Sequence, residues 1–425
     1  MKPATNPQVA DEGSLLYPGW GVAAAAFVGV MTSFAPIIPY TFSLFVNPLH
    51  TAFGWQREAI GGAFGLAAIT CALVSPGIGV LLDRFPPRRI ILPAIVIFAV
   101  ALASLSRLGP HILRFYLTFF VLGLMANGTA QFAYTRTMLT WFRKHRGFAL
   151  ALILTGSGVG SILYPPLTQW VISHHSWRSA YLLLGGIAIL GFPLTALLLR
   201  NRPAAASIPE HTPPSGASVG AALRSAAFWI LAVITILSAF SENGLVTNLA
   251  AILTEHRVSA QMAAFALSAR GGAGIVARLG VGLLVDRFSP QRIQTVVLSL
   301  AAIGTLVLAF AATPASAFLG TTLLGIGVGS EADVAPYLLA RYFGRKHFSV
   351  LYGLTWTAYA IGGGMGPVVF GHFCDLAGSY QPRLIVGLAI IAFASAAVSL
   401  LLRSDRNHVV ESASSASMAS AVREE

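Results

Sequence analysis

Two segments of the chain, Gly79-Val-Leu-Leu-Asp83-Arg84-Phe85 and Gly282-Leu-Leu-Val-Asp286-Arg287-Phe288, share the pattern Gly-x-x-x-Asp-Arg-Phe and lie 203 residues apart. A second related pair, Trp141-Phe-Arg-Lys-His and Tyr342-Phe-Gly-Arg-Lys, is offset by 201 residues. Two motif pairs at nearly one offset indicate an internal repeat that occupies about half of the chain.

The composition is typical of a protein embedded in lipid. Of the 425 residues, 56% are hydrophobic and only 10% are charged, with a mean hydropathy of +0.74. Soluble domains carry about 25% charged residues, so these charges are too few to cover a water-facing surface. The two cysteines, Cys71 and Cys374, have neither a Cys-x-x-Cys nor a metal-binding spacing, and we interpret them as small apolar residues.

Twelve apolar segments are long enough to cross about 30 Å of hydrocarbon as helices. We number them spans 1 to 12; they cover residues 19–46, 58–82, 89–108, 112–140, 147–172, 179–199, 226–252, 261–285, 292–312, 316–340, 347–372 and 383–402. The first apolar run is too long for a cleavable signal peptide, so we expect it to be retained. Residues 1–18 are predicted to be an N-terminal tail, 19–200 and 225–403 two six-helix bundles, 201–224 a linker and 404–425 a disordered tail.

The basic residues set the orientation. With both termini and the linker placed in the cytoplasm, 18 of the 27 Lys and Arg residues lie on the cytoplasmic side and six on the outer side. This bias agrees with the positive-inside rule and predicts a multi-pass protein of the cell membrane. It also explains the formal charge of +12 without a nucleic-acid partner.

The Asp-Arg-Phe segments after spans 2 and 8 resemble the signature of the major facilitator superfamily. The resemblance covers residues 17–403 and implies an all-α polytopic membrane protein with twelve transmembrane helices in two six-helix bundles. Four further motifs are similar to the monocarboxylate transporters and the related oxalate/formate antiporters: Tyr17-Pro-Gly-Trp-Gly, Phe53-Gly-Trp-Gln-Arg, Trp141-Phe-Arg-Lys-His-Arg-Gly and Ile275-Val-Ala-Arg278.

Apart from residues near the ends of the predicted spans, six charged residues fall inside them, where each charge costs about 2.5–3.5 kcal/mol on insertion scales and is a functional candidate. They are Arg136, Glu242, Arg270, Arg278, Glu331 and Asp333, in spans 4, 7, 8 and 10. Spans 3, 6, 9 and 12, which the resemblance implies to be the outer helices, carry none. Five of the six lie in the second half, which we therefore expect to contain most of the chemistry.

The arginines of span 8 are the predicted anion-binding residues. Guanidinium can hold a carboxylate through two hydrogen bonds, and the resemblance implies this role for Arg278. The family commonly has an aspartate four residues earlier, but this chain has Gly274 there. Arg278 could instead pair with Glu331 or Asp333. Arg270, eight residues before Arg278, could extend the anion site or pair with Glu242.

Three carboxylates are candidates for proton coupling. Glu331 and Asp333 lie two residues apart in span 10 and point about 200° from each other, so they cannot both face one site. One of them, or Glu242 in span 7, could carry a proton, while a purely structural ion pair is the alternative.

Aromatic and amide side chains are further candidates for the cavity lining. The resembled oxalate transporters carry a lysine at the place of Tyr359, and a tyrosine offers only a hydrogen bond, which favours a monocarboxylate over a dianion. Arg270 could restore the second charge. Tyr40 occupies the place of a lysine in animal monocarboxylate transporters. Asn248, Trp356 and Tyr352 could line the cavity or pack in the core.

Charged helix ends are predicted to form gates. The resemblance implies that Asp83, Arg84, Asp286 and Arg287 make contacts between bundles that break as the carrier changes face. Their predicted partners are Arg143 and Arg146, and a simple topology signal is the alternative. The glycine-rich stretches around Gly160 and Gly362 are better explained by close helix packing than by nucleotide binding.

These features predict a transporter, not an enzyme, with no catalytic residues, no metal site and no cofactor. The expected cargo is a small organic anion, most simply a monocarboxylate, moved together with protons by alternating access in a protein that functions as a monomer. Three alternatives are open: organic-anion exchange as in the oxalate/formate relatives, a transporter-like membrane sensor without flux, and efflux of uncharged amphiphiles.

Overall fold

The structure is a computed structural model. It describes residues 14, 17–129, 133–134, 137–138, 141–142, 146–199, 216–284, 288–344 and 347–402. Within these ranges, the side chains of residues 76, 79, 80, 83, 146–151, 154, 279, 282, 283, 328–337, 340, 348 and 349 lie outside the description.

The first half of the described chain consists of helices that follow the predicted spans. Span 1 is α1 (Pro18–Met31) and α2 (Phe34–Phe53), and the later spans are α3 (Arg57–Arg84), α4 (Pro87–Ser104), α5 (Ile112–Thr129), α6 (Arg146–His174) and α7 (Trp177–Leu198). A short 3₁₀ turn, Leu105–Arg107, continues α4.

The second half repeats this arrangement. A short helix, α8 (Val219–Arg224), precedes α9 (Ala226–Val246), α10 (Leu249–Glu255), α11 (Ala260–Leu284), α12 (Pro290–Ala309), α13 (Pro314–Phe343), α14 (Phe348–Ala377) and α15 (Pro382–Ser399). Together α9 and α10 form span 7, and α11 to α15 are spans 8 to 12. Residues 216–218 lie against the end of α13, where Ala217 N donates to Phe343 O at 2.9 Å.

The helices have membrane dimensions. Eight of the described helical segments are long and apolar enough to cross a bilayer. The other four spans are α6, α11, α13 and α14, which have 29, 25, 30 and 30 residues. At 1.5 Å per residue, even 25 residues extend about 37 Å, which exceeds the hydrocarbon thickness. The protein is therefore a multi-pass, all-α membrane protein.

Span 1 is broken rather than smoothly kinked. Pro36 lacks an N–H, and a proline ring clashes with the carbonyl four residues earlier, which here belongs to Thr32. The chain leaves the helix at Thr32 and Ser33. The Ser33 hydroxyl then donates to Val30 O at 2.8 Å, so a side chain satisfies one of the freed carbonyls.

Small residues allow the two halves to touch. A Cβ added to Gly65 of α3 would lie 2.6 Å from Gly364 O of α14, and one added to Gly371 of α14 would lie 2.7 Å from Glu58 N. On the other side of the molecule, Ser268 Oγ of α11 donates to Ile162 O of α6 at 2.6 Å. The contacts of α3 with α14 and of α6 with α11 therefore join the halves.

The predicted close packing of the glycine-rich stretches is confirmed. A Cβ at Gly156 would lie 2.4 Å from Phe27 O, so α6 is tight against α1. Cβ atoms at Gly362 and Gly366 would each lie 2.2 Å from carbonyls of α9. These contacts fix how α14 lies against α9, the helix that carries Glu242.

Candidate functional site

A buried ion pair joins two helices of the second half. Arg270 Nη2 of α11 lies 3.0 Å from Glu242 Oε1 of α9, with hydrogen-bonding geometry. The side chains are only 4% and 10% exposed. Opposite charges so far from water must compensate each other, because an isolated charge in lipid or protein interior is very costly.

The first half of the chain completes this cluster. Tyr40 of α2 places its ring under the guanidinium, and Arg270 Cζ lies 4.8 Å from the ring centroid. An aromatic face at this distance attracts a cation, more strongly when water is excluded. We call Arg270, Glu242 and Tyr40 the Arg270 cluster; it draws on helices from both halves.

Two nitrogens of the Arg270 guanidinium are unsatisfied within the described part of the chain. Among the described residues, neither Nε nor Nη1 has a hydrogen-bond partner, although both are buried. A buried donor without a partner costs about 1–3 kcal/mol. A carboxylate brought to this group would satisfy such donors, so the arrangement is suited to an anion.

Helix geometry shows which way the arginines face. Phe265 and Val276 are 44% and 70% exposed and mark the outward side of α11. At about 100° per residue, Arg270 and Arg278 lie within about 80° of each other, on the opposite side. Arg278 is partly exposed and lies eight residues, or about 12 Å, further along the helix.

The same reasoning applies to Glu242. On α9 the outward side is marked by Trp229 and Val233, which are 58% and 41% exposed. Glu242 lies about 140–180° from them and therefore points into the bundle. Glu242 also lines a small cavity, together with Ser238, Ser241, Thr305 and apolar residues of α12, α13 and α15.

Tyr359 and Trp356 lie together on α14. Their rings are parallel within 8°, with centroids 5.1 Å apart. The Tyr359 hydroxyl accepts a hydrogen bond from Asn243 Nδ2 at 3.3 Å. Because Asn243 directly follows Glu242, two neighbouring residues of α9 connect the aromatic pair with the ion pair.

A second polar cluster joins the halves at one end of the bundle. Arg57 Nη1 lies 3.6 Å from Asp375 Oδ1, and Glu58 N donates to Asp375 Oδ2 at 2.9 Å. The Asp375 carboxylate of α14 thus accepts a hydrogen bond in the first turn of α3, where the helix dipole favours negative charge. In the same region, His372 Nδ1 lies 2.8 Å from Glu58 Oε2.

Tyr380 extends this second cluster. Arg57 Cζ lies 4.7 Å from the centroid of its ring. Burial raises the pKa of the Tyr380 phenol, which therefore stays protonated and donates to Asn248 Oδ1 at 2.9 Å. We call Arg57, Glu58, His372, Asp375, Tyr380 and Asn248 the Arg57 end network.

Comparison with known proteins identifies the architecture. The sequence profile of the Major Facilitator Superfamily matches residues 20–367 and, in a second match, residues 231–423. The chain belongs to the major facilitator superfamily. As a member, it is a membrane transporter, and it is similar in particular to transporters named for monocarboxylates.

Individual relatives support this placement. Monocarboxylate transporter 13 of Bos taurus is 24% identical over 378 residues, covering 88% of this chain and 87% of the relative. Monocarboxylate transporter 11 of Mus musculus is 28% identical, covering 87% and 84%. An inward-facing, unoccupied bacterial homologue of the human lysosomal transporter Spinster superposes with a TM-score of 0.73 at 18% identity, covering 92% and 97%.

Within this superfamily member, the structure brings together some of the predicted site residues and separates others. It joins Arg270 with Glu242, and Tyr359 with Trp356. Asn248 lies apart, at the break between α9 and α10, where its amide also donates to Gly244 O at 3.1 Å. Its role in substrate binding stays a prediction, since both ends of the amide are engaged in this structure.

Several predicted residues lie outside the described part of the chain. Arg136, Arg143, Asp286 and Arg287 are not among the described residues, and the side chains of Asp83, Arg146, Glu331 and Asp333 are not described either. Arg84 is described and is exposed at the end of α3. The gate contacts, and the alternative pairing of Arg278 with span 10, therefore stay predictions.

The Arg57 end network was missed by the sequence reasoning. In the sequence, Arg57 is one of the six outer-side charges and the last residue of the Phe53-Gly-Trp-Gln-Arg motif. Predicted span 11 ends at residue 372, which places Asp375 in a loop. The helix continues to Ala377. The sequence does contain two acidic residues, Glu58 and Asp375, near the ends of spans 2 and 11, which pack against each other as α3 and α14.

Proposed function

We propose that this transporter carries a small organic monoanion together with a proton. The observation that supports the proposal best is the buried Arg270–Glu242 pair, which faces into the bundle beneath Tyr40. Among the described residues, two of its guanidinium nitrogens have no hydrogen-bond partner. A carboxylate and a guanidinium form strong bidentate hydrogen bonds in water-poor surroundings. The similarity to monocarboxylate transporters points to the same class of cargo.

Proton coupling follows from competition for one arginine. While Glu242 is ionised, it occupies Nη2 of Arg270. When Glu242 takes up a proton, its attraction to the guanidinium weakens, and an incoming carboxylate can use Nη1 and Nη2 together. The loaded site then contains a guanidinium, a bound carboxylate and a neutral Glu242. A carboxylate bound without the proton would leave an extra buried negative charge, which is strongly unfavourable.

The empty and loaded states have the same net charge of zero in this cluster. In both states the carrier can therefore change face without an uncompensated charge in its low-dielectric interior. With only the proton or only the anion bound, it cannot. This equality is a physical basis for obligatory symport. The energy source would be the proton gradient.

Arg278 would assist the anion along its path. It shares a helix face with Arg270 and lies about 12 Å further along α11. We propose that it makes contact with the carboxylate before or after Arg270 does, on the side of the bundle where α11 ends. Glu331 and Asp333 remain alternative proton carriers in this proposal.

Alternating access would be a movement of residues 19–200 against residues 225–403, linked by residues 201–224. We propose that the Arg57 end network is the outer gate and that Asp83, Arg84, Asp286 and Arg287 belong to the cytoplasmic gate with Arg143 and Arg146. The distribution of Lys and Arg supports cytoplasmic termini and a cell-membrane location. We propose that the carrier functions as a monomer.

The test is uptake of labelled lactate, pyruvate and benzoate into proteoliposomes under an inward-acid gradient. We expect gradient-driven uptake in the wild type. We expect its loss in Arg270→Gln/Glu242→Gln, which removes both charges and so leaves no unpaired buried ion. Arg114→Gln is the control, because Arg114 is exposed and its side chain donates to Arg107 O, away from the Arg270 cluster.

Other results of the uptake experiment would favour a different function or a different anion site. Uptake that needs a trans anion but no gradient would replace symport by exchange. Binding of acids without any flux would indicate a sensor. Full uptake by the double variant, combined with loss in Arg278→Lys, would move the anion site from Arg270 to Arg278.

A further inference from the structure

The helix α14 has a continuous aromatic face that the proposed proton and carboxylate chemistry does not use. Its outward stripe is marked by Leu354, Ile361 and Met365, which are 39%, 46% and 52% exposed. Tyr352, Trp356 and Tyr359 lie about 140–200° around the helix from Leu354. The three aromatic side chains are partly exposed although they point inward. They therefore border open space inside the bundle.

The rings on this face are ordered relative to one another. Trp356 and Tyr359 are stacked nearly parallel, at 8° and 5.1 Å, and Tyr352 follows Trp356 at 6.5 Å and 36°. The Asn243 amide holds the Tyr359 hydroxyl at 3.3 Å and is itself anchored to Ala239 O at 3.0 Å. Small residues next to the rings, such as Gly363, keep the face open; a Cβ there would contact Asn243 and Tyr359.

The aromatic face belongs to the same interior as the Arg270 cluster. Glu242 and Asn243 are consecutive residues of α9, one bonded to Arg270 of α11 and the other to Tyr359 of α14. The interior thus offers a cation for a carboxylate and a flat, polarisable surface for the rest of the molecule. A short hydroxy or keto acid would bind the cation through its carboxylate but would be too small to contact the aromatic surface.

We propose that the transported anion has a planar, aromatic body and that Trp356 stacks against it while Arg270 holds its carboxylate. This inference rests on the proposed function and specifies its substrate class as aromatic monocarboxylates. Aromatic pairs prefer ring centroids about 4.5–7 Å apart and gain more than their buried area alone provides. Trp356 is the specificity-determining residue, and Tyr359 and Asn243 position it.

The experiment is calorimetric titration of the purified full chain in lipid nanodiscs with benzoate and with cyclohexanecarboxylate. The two ligands are monoanions of similar size, but only benzoate is flat. We expect benzoate to bind about tenfold more tightly, in line with the strength of aromatic pairs. Trp356→Leu should abolish this preference and leave the affinity for cyclohexanecarboxylate within about twofold of the wild type.

Two further variants serve as controls. Trp356→Phe keeps a ring and should retain most of the preference. Trp170→Leu removes a tryptophan that is 47% exposed on α6 and stacks on His174, so the preference should be unchanged. Equal affinity of the wild type for both acids, or an unchanged preference in a folded Trp356→Leu protein, would overturn the inference.

Benzamide, which has the ring without the charge, separates this inference from the proposed function. If the wild type prefers benzoate to cyclohexanecarboxylate and benzoate binding requires Arg270, the aromatic face and the anion site are both supported. If the wild type binds benzamide as tightly as benzoate, and Trp356→Leu weakens both, the aromatic face stands and the anion site fails. If benzoate needs Arg270 but ignores Trp356, the anion site stands and the aromatic face fails.

Discussion

Arg270 illustrates how one residue can be both structural and functional. Its pair with Glu242 satisfies one nitrogen and leaves Nε and Nη1 without partners among the described residues. Breaking a buried pair by removing one member typically costs about 3–5 kcal/mol, because the other charge stays buried. An unstable variant therefore says little about transport. A replacement of Glu242 should keep an oxygen that can accept from Arg270, and it should be studied with an anion bound, which compensates the charge of the guanidinium.

Glu242→Gln is such a replacement, because glutamine imitates the protonated acid. In the wild type, anion binding should take up a proton and therefore strengthen as the pH falls. In Glu242→Gln the affinity should be at least as high and should no longer depend on pH, since the competing carboxylate is gone. Calorimetric titrations with benzoate at several pH values measure this slope. A wild-type slope that persists in the variant would assign the proton to another group, such as Glu331 or Asp333.

Tyr40 contributes through its ring rather than through its hydroxyl. Its centroid lies 4.8 Å from Arg270 Cζ, and a desolvated cation–π contact is worth up to about 2 kcal/mol. We expect Tyr40→Phe to bind benzoate like the wild type, and Tyr40→Leu to bind it about tenfold more weakly. Titration of both variants tests this. Equal loss in Tyr40→Phe would mean that the hydroxyl is the important group.

The sequence identified these residues and left the pairing of Arg270 with Glu242 as one of two alternatives. Arg270 and Glu242 stand out because charges are rare in apolar helices, and the cost of burying a charge does not depend on the details of the fold. Which acid meets which arginine depends on how far α9 is displaced along α11. The position of α11 in the bundle is fixed by contacts such as that of Gly325 of α13 with the backbone of Arg270, where a Cβ would lie 2.3 Å from Arg270 O.

At the scale of helices, length and hydrophobicity predicted the spans well, and local chemistry decided their ends. Span 1 contains Pro36, and the helix breaks four residues before it, in keeping with the missing N–H of proline. Span 7 also breaks, at Thr247 and Asn248, without any proline. Side-chain bonds of Thr247 and Asn248 to backbone carbonyls accompany that break, and such bonds have no clear sequence signature.

The contact between α3 and α14 provides a test of helix packing. Gly371→Ala adds a methyl group 2.7 Å from Glu58 N, a backbone atom that cannot move aside easily. We expect it to destabilise the described conformation by about 1–3 kcal/mol, as overpacking usually does. Gly353→Ala is the control on the same helix, because its Cβ would meet nothing within 4 Å. Thermal unfolding in nanodiscs should show a lower midpoint for the first variant only; equal midpoints would argue against this contact.

For the whole molecule, the structure adds a relation between the halves that spans and motifs do not contain. The Arg57 end network joins α3 to α14 and to the chain around Tyr380, and Asn47 Nδ2 of α2 donates to Thr254 Oγ1 of α10 at 3.2 Å. Charges at helix ends look alike in a sequence whether they face water or another helix. Their pairing depends on the conformation of the carrier. A single sequence adopts every conformation of the transport cycle, so it does not by itself indicate which charges are paired in one of them.

The native thiol of Cys374 can report on opening at this end of the molecule. Cys374 is 0% exposed, directly precedes Asp375, and becomes the only cysteine of the chain after Cys71→Ala. If the Arg57 end network closes the bundle, Asp375→Asn should weaken both the contact with Arg57 and the bond from Glu58 N, and so raise the population of the open state. We expect Cys374 to react with a membrane-impermeant maleimide about tenfold faster in that variant, which corresponds to a shift of about 1.4 kcal/mol.

Arg383→Gln, which removes a nearby charge outside the network, should leave the rate unchanged. Equal rates in the Asp375→Asn and wild-type backgrounds would show that the network does not hold the two halves together.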